Sequence, residues 1–409
     1  RNSCAPRRSA AYWDGSRADG HSGGSRGGRF PFHFLPGRII RGSFACMDES
    51  TARPLTPSMQ RLADRFRSGD SLALARCITR VENQTAGFED LLHALHDGVG
   101  RARRIGLTGP PGAGKSTLTA AVARLLRDRG ETVGIVAVDP SSPFTGGALL
   151  GDRVRMDDLA TEPGIFIRSM ASRGSHGGLA TTTREAADLM DAFGFDHVLL
   201  ETVGVGQSEL EVATNADSTV VVLVPESGDG IQAMKAGLME VADLFVVNKA
   251  DRPGADRLKK EIEVVQAIRA GSPMAAAPAH HGVDFTAIAL AGSKPTDDGD
   301  DPGGAPRIPD WEAPVLKCIA STGEGVAELV ERLDAHFDWL EETGMLNEQR
   351  RLAATEHTRR VLERAVQRQA STVWQEWIGD EGQSADQVAG SPYEIARRLA
   401  RRLRPGSEN

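Results

Sequence analysis

Two rhythms of apolar and polar positions divide this chain. Between residue 104 and about residue 335, short hydrophobic runs alternate with stretches of helical period. The runs at 104–108, 133–138, 164–169, 197–202, 218–224, 243–248 and 314–319 are the candidate strands, and the longest strongly apolar stretch, Val220 to Val224, reads as a buried one. The intervening stretches repeat apolar residues every three to four positions. After Lys115, Leu118, Val122, Leu125 and Leu126 share one side and Gly130 stops the run. This alternation predicts an α/β fold, a mostly parallel sheet with helices on both faces.

Helical rhythm alone governs the flanks. Within 57–100, Leu72, Leu74, Ala75, Ile78 and Val81 make one stripe after Gly69-Asp70, and Leu91, Leu92 and Leu95 another. Beyond Gly325, the residues Val326, Leu329, Val330, Leu333, Phe337 and Leu340 form one face. A longer pattern covers 347–378, with Trp374 and Trp377, and a last one runs from Pro392 to Leu403. The expected division is a disordered or non-native leader at 1–46, a helical segment at 47–100, the main α/β domain at 101–335, and a helical arm at 336–409.

The leader is rich in Arg, Gly and Ser, lacks Glu, and opens on Arg1; ordinary sequence begins at Met47. A fragment or mis-started frame is the expectation. An organellar transit peptide competes with it, although Asp14, Asp19 and the glycine runs spoil an amphipathic helix. Residues 272–312, with His280-His281 and Asp297-Asp298-Gly299-Asp300-Asp301, are expected to be a surface insertion, because they lack ordered metal-ligand spacing.

Composition narrows the classes. A net charge of −8 argues against a general affinity for nucleic acid. No apolar run reaches the ~18–20 residues of a membrane span. Cys4, Cys46, Cys77 and Cys318 are scattered without a C-x-x-C, which fits reduced thiols in a cytosol-like compartment. The expected location is cytoplasmic, or the mitochondrial matrix if the leader is a transit peptide.

The chemistry centres on Gly109-Pro110-Pro111-Gly112-Ala113-Gly114-Lys115-Ser116, a G-x-x-x-x-G-K-S string between the first strand and a helix. That context identifies a P-loop. Its glycines let backbone N–H groups close around a phosphate, and the helix N-terminus adds partial positive charge. Gly109, Gly112, Ala113, Gly114, Lys115, Ser116 and Thr117 are therefore predicted to bind nucleotide, Lys115 on the β- and γ-phosphates and Ser116 on Mg²⁺.

Acids stand at the following strand ends, where ligands bind in such sheets. Asp139, in Asp139-Pro140-Ser141-Ser142, suits Mg²⁺ or a metal-bound water, but the string is equally turn chemistry. Asp152 ends the glycine-flanked run 146–152, a switch-like segment or an ordinary loop. Glu201-Thr202-Val203-Gly204 sits where nucleotide hydrolases place an acid–x–x–Gly, so Glu201 is a metal candidate and the Gly204 N–H a γ-phosphate contact. Val205 occupies the place of the water-orienting Gln of small GTPases, which predicts slow unassisted hydrolysis. Lys235 ends a polar, glycine-rich run and is either a solvated charge or a residue brought toward the phosphates.

Asn248-Lys249-Ala250-Asp251 has the N-K-x-D form. Guanine offers two adjacent donors, N1–H and N2–H₂, and an Asp carboxylate accepts from both. Ala320, in Ile319-Ala320-Ser321, is expected to turn its N–H to guanine O6, although Ile319 replaces the usual Ser.

Together these strings, with Val138-Asp139-Pro140-Ser141-Ser142, Glu201-Thr202-Val203-Gly204-Val205-Gly206-Gln207-Ser208-Glu209 and Gly230-Ile231-Gln232, closely resemble the methylmalonyl-CoA mutase-associated GTPases, the MeaB/ArgK family, over roughly residues 57 to 403. The resemblance implies a P-loop NTPase that hydrolyses GTP to GDP and phosphate with Mg²⁺. It implies a homodimer built through the C-terminal helices. It also implies a chaperone that gates adenosylcobalamin loading into, and protects, an adenosylcobalamin-dependent acyl-CoA mutase. Carried over residue by residue, Lys115, Asp152, Glu201 and Lys235 are catalytic, Ser116, Asp139, Asp152 and Glu201 form the metal site, and Asn248, Lys249 and Asp251 read guanine. Two other readings compete. A metal-insertion GTPase of the hydrogenase or urease type relies on Cys/His sets beside the nucleotide, and the cysteines here are scattered. A transport-protein kinase needs an acceptor site and base that no motif supplies.

Overall fold

The computed structural model describes residues 54–140, 157–172, 178–202, 212–225, 238–269, 311–381 and 391–403. The leader at 1–46 and nearly all of the 272–312 insertion lie outside the described residues.

Seven strands form one parallel sheet: β1 (Arg103–Thr108), β2 (Val133–Pro140), β3 (Ile165–Ser172), β4 (His197–Thr202), β5 (Ser218–Leu223), β6 (Leu244–Asn248) and β7 (Val315–Cys318). Their order is β3-β2-β4-β1-β5-β6-β7, which puts β1 at the centre. All six residues of β4 and of β5 are buried, the physical reason their sequences are apolar without alternation. β2 runs two residues beyond its expected end, pairing with β3 as far as Pro140 and Ser172. Asp139 therefore has strand backbone; it does not open a turn.

The helices are α1 (Pro57–Arg67), α2 (Ser71–Glu82), α3 (Phe88–Leu95), α4 (Lys115–Asp128), the single-turn α5 (Asp157–Ala160), α6 (Gly178–Phe193), the single-turn α7 (Leu238–Val241), α8 (Ala255–Arg269), α9 (Val326–Glu342), α10 (Met345–Glu381) and α11 (Pro392–Arg402). On one face of the sheet, Leu118, Val122 and Leu126 of α4 join Leu329, Val330 and Leu333 of α9 over Ile105, Leu107 and Val220. On the other, α6 and the N-terminal helices pack Phe66, Leu74, Ile78, Leu91 and Met190 onto Val198 and Leu200. α8 adds Leu258 and Ile262 beside Val221, Phe245 and Val247.

The N-terminal helices are punctuated as the physics of caps requires. Thr56 Oγ1 accepts the Met59 N–H at 3.4 Å, and Asp70 Oδ1 accepts those of Leu72 and Ala73 at 2.9 and 3.3 Å. The stripe expected on α2 needs correction. Its buried side is Ala73, Leu74, Cys77, Ile78 and Val81, whereas Leu72 is 53% exposed. At about 100° per residue, Leu72 falls with Arg76 on the far side of the helix.

α10 is held to the domain by arginines. Arg350 makes a fork with Asp217, Nε to Oδ1 at 2.8 Å and NH2 to Oδ2 at 2.7 Å, and donates to the carbonyls of Gly100 and Ala102 at 2.6 and 2.8 Å. About four and five turns along, Arg364 forks onto Glu185 of α6 and Arg368 pairs with Glu89 of α3. The opposite side of α10 leaves Leu362 and Val366 about half exposed.

Candidate nucleotide site

β1 delivers the chain into the glycine-rich loop at the C-terminal edge of the sheet. Gly109 has φ +136°, and a Cβ there would lie 2.1 Å from the Val222 carbonyl oxygen on β5, so only glycine fits. Gly114, φ +85°, precedes α4 and carries no capping side chain, which leaves the first N–H groups of that helix to the concave side of the loop.

Lys115 is buried and its Nζ donates to the carbonyls of Gly109 and Pro110 at 2.8 and 3.0 Å, across the loop it belongs to. Ser116 Oγ donates to Glu201 Oε1 at 2.5 Å. Glu201 sits at the end of β4, paired in register with Leu107 of β1, and is 3% exposed. Thus the hydroxyl and the carboxylate expected to serve one metal ion are in contact. Both are hard oxygen donors, the kind Mg²⁺ takes alongside water and phosphate oxygens. Among the described residues no cluster of three His, Cys, Asp or Glu could cage a metal by itself. The donor set therefore fits a magnesium held jointly with a nucleotide.

Asn248 ends β6 and is 2% exposed. Its Nδ2 donates to the Ala113 carbonyl at 2.8 Å, and its Oδ1 accepts the Ala320 N–H at 3.1 Å. It therefore bolts the glycine-rich loop, β6 and the loop after β7 together. A Cβ on Gly114 would meet this same Nδ2 at 2.5 Å. Lys249 lies in the left-handed region, φ +55°, and its Nζ reaches the Gly112 carbonyl at 2.8 Å. Asp251 is exposed, in the turn that follows. The Ala320 N–H, expected to face guanine O6, is turned to Asn248.

The structure therefore brings together Gly109, Gly112, Ala113, Gly114, Lys115, Ser116, Glu201, Asn248, Lys249 and Ala320. Thr117 is exposed on the first turn of α4. The Asp139 backbone lies on β2, two residues past the Ala137–Glu201 register pair, and its side chain is outside the described residues. Asp152, Gly204 and Lys235 are also outside them. Sequence reasoning missed the bracing role of Asn248 and Lys249. It treated both as readers of a base, while each spends a side-chain donor on a loop carbonyl.

A cavity of about 450 Å³ lies at the opposite, N-terminal edge of the sheet, between α10 and the starts of β5 and β6. Asp217, Asp243 and His357 line it. Burial pushes the Asp243 carboxyl up to about 7 and His357 down to about 4. Beside it, His336 Nδ1 bonds Ser218 Oγ at 2.8 Å, and burial lowers its pKa to about 4. None of these groups belongs to the loop cluster.

A family model described as "Methylmalonyl Co-A mutase-associated GTPase MeaB" matches residues 74–374. A putative GTPase of Pyrococcus horikoshii is 42% identical over 304 residues, covering 74% of this chain and 86% of that protein. The mouse protein named methylmalonic aciduria type A homolog, mitochondrial, is 39% identical over 215 residues, 48% of this chain and 52% of its own length. Among solved structures, one titled "Crystal structure of LAO/AO transport system kinase" superposes with a TM-score of 0.54 at 26% identity, covering 86% of this chain and 99% of that one.

Proposed function

Because this chain belongs to the MeaB family of methylmalonyl-CoA mutase-associated GTPases, we propose that it spends GTP to gate adenosylcobalamin loading into an acyl-CoA mutase of the methylmalonyl-CoA type, and to protect that mutase. GTP hydrolysis itself follows from the family and its P-loop relatives. The observation that carries the nucleotide chemistry is the 2.5 Å contact of Ser116 with Glu201 directly beside the glycine-rich loop. The family description, which names the mutase, supports the finer reading.

In this reading the loop N–H groups from Gly112 to Thr117 receive the phosphates. Lys115 exchanges the carbonyls of Gly109 and Pro110 for phosphate oxygens, so it stays buried and bonded throughout. Ser116 and Glu201 would hold Mg²⁺, with Asp139 and Asp152 as the further acids. The metal, when bound, neutralises developing phosphate charge. The Gly204 N–H meets the γ-phosphate. Asp251 accepts from guanine N1–H and N2–H₂, while Asn248 and Lys249 keep the phosphate loop in shape. Contact with the mutase orders Lys235 and Asp152 against transition-state charge. A second copy of the chain covers the apolar side of α10, and a Leu362→Glu, Val366→Glu double variant sediments as a monomer if that is so.

The deciding experiment measures GTP turnover with and without the mutase, for wild type and Lys235→Ala. Turnover is expected to be slow alone and to rise on the order of 10³-fold or more with the mutase, by analogy with delivered arginine fingers. Lys235→Ala is expected to lose most of that rise. No response to the mutase would end the chaperone reading. An equal response in both proteins would remove Lys235 from it.

A further inference from the structure

A cationic groove lies on the outer side of the N-terminal helices. α1 and α2 are joined by the Gly69 turn, and each presents two arginines four residues apart, Arg61 with Arg65 and Arg76 with Arg80. The groove is open, encloses about 730 Å³, and includes Leu62 and the half-exposed Leu72 in its lining. No acidic residue lines it. Asp70 holds Arg65 at 2.7 Å. Among the described residues Arg61, Arg76 and Arg80 meet no carboxylate. In a chain of net charge −8, this is a concentrated exception. Folding of the two helices does not require Arg61 and Arg76: like charges at i,i+4 repel, and any good helix former would serve at these two exposed positions. Arg80 is half-buried and reaches Thr85 Oγ1 at 3.5 Å.

We propose that this groove receives an acidic amphipathic helix of a partner protein. Each arginine pair repeats over four residues, about 6 Å along its helix. Carboxylates at i and i+4 on a third helix laid in the groove repeat at the same spacing. Guanidinium forks bind carboxylates through two parallel hydrogen bonds, which fixes register as well as sign. An apolar side chain between the carboxylates would seat on Leu72 and Leu62, the helix-in-groove mode of recognition. A phosphate polymer matches the charge but leaves that apolar surface uncovered.

The test uses the full chain and a fluorescently labelled, alanine-based helical peptide of about 16 residues, long enough to hold its helix. It carries two Glu pairs at i,i+4 flanking one Leu. A control peptide of the same composition has its four Glu residues consecutive. Saturable binding of the patterned peptide, with the control about tenfold weaker, is expected. Arg61→Glu with Arg76→Glu should weaken binding about tenfold or more, and Leu72→Ala several-fold, while GTP turnover stays unchanged. If the reversal lowers the melting temperature, Arg61→Gln with Arg76→Gln replaces it, with the same loss expected. Equal binding of the two peptides, or indifference to the arginine variants, would overturn the proposal. So would preferential uptake of phosphatidylserine vesicles or duplex DNA over the patterned peptide. None of these variants touches the phosphate loop, so their outcome is read separately from the GTPase assay.

Discussion

Asn248→Asp isolates the bolt between the phosphate loop and the base-side loops. The substitution keeps size and shape and keeps an acceptor for the Ala320 N–H. It replaces the Nδ2 donor, 2.8 Å from the Ala113 carbonyl, by an oxygen facing an oxygen at a position 2% exposed. The lost bond costs about 1 kcal/mol, and the buried carbonyl left without its donor about 1–3 kcal/mol more. If GTP binding needs the loop in its bolted shape, roughly 2–4 kcal/mol is taken from binding, which is about 30- to 1000-fold in Kd. Fluorescent-nucleotide titration against GTP and ATP reads this, with thermal melting as the control for global folding. A variant that melts like wild type and binds GTP within about threefold of it would refute the reasoning. Loss of melting temperature with affinity retained would make Asn248 a stability residue only.

Ser116→Ala removes the hydroxyl bonded to Glu201, and GTP turnover at saturating magnesium should fall on the order of 10²-fold; unchanged turnover would take Ser116 out of the metal site. Arg350→Ala leaves Asp217, 5% exposed, without its fork partner and should cost about 3–5 kcal/mol in urea unfolding, with earlier proteolysis within α10. A loss under about 1 kcal/mol would mean α10 is held by its other contacts. His336 is neutral when folded, its pKa lowered to about 4 by burial, whereas the unfolded ring protonates near 6.5. Its contribution is therefore fully present above pH 6.5 and is lost as pH falls toward 4, by about 3 kcal/mol. His336→Asn should flatten that part of the stability profile, and a slope between pH 7 and 4 identical to wild type would contradict the burial of an uncharged ring.

The short hydrophobic runs were enough to locate all seven strands, because a strand covered on both faces has no solvent side to alternate with. The phosphate loop was legible for a similar reason: Gly109 and Gly114 are steric requirements, and such requirements leave a fixed residue type at a fixed spacing. The stripe on α2 was misread at Leu72, since a half-exposed leucine and a buried one look alike in sequence, and only the neighbouring helices decide which side is inward. Order along the sheet was not legible either. β1 lies between β4 and β5, both distant from it in sequence, because the crossovers are set by which helices pack on which face.

What the residues alone determined was local: strand and helix rhythm, and the phosphate-cradling turn. These depend on interactions within a few positions of the chain. Tertiary structure decided that Ser116 and Glu201 touch, that Asn248 spends its amide on two other loops, and that Arg350 pins the long helix to Asp217. Each joins positions separated by at least 72 residues. A hydrogen bond needs donor and acceptor within about 3 Å, and only the packed sheet brings such distant positions that close.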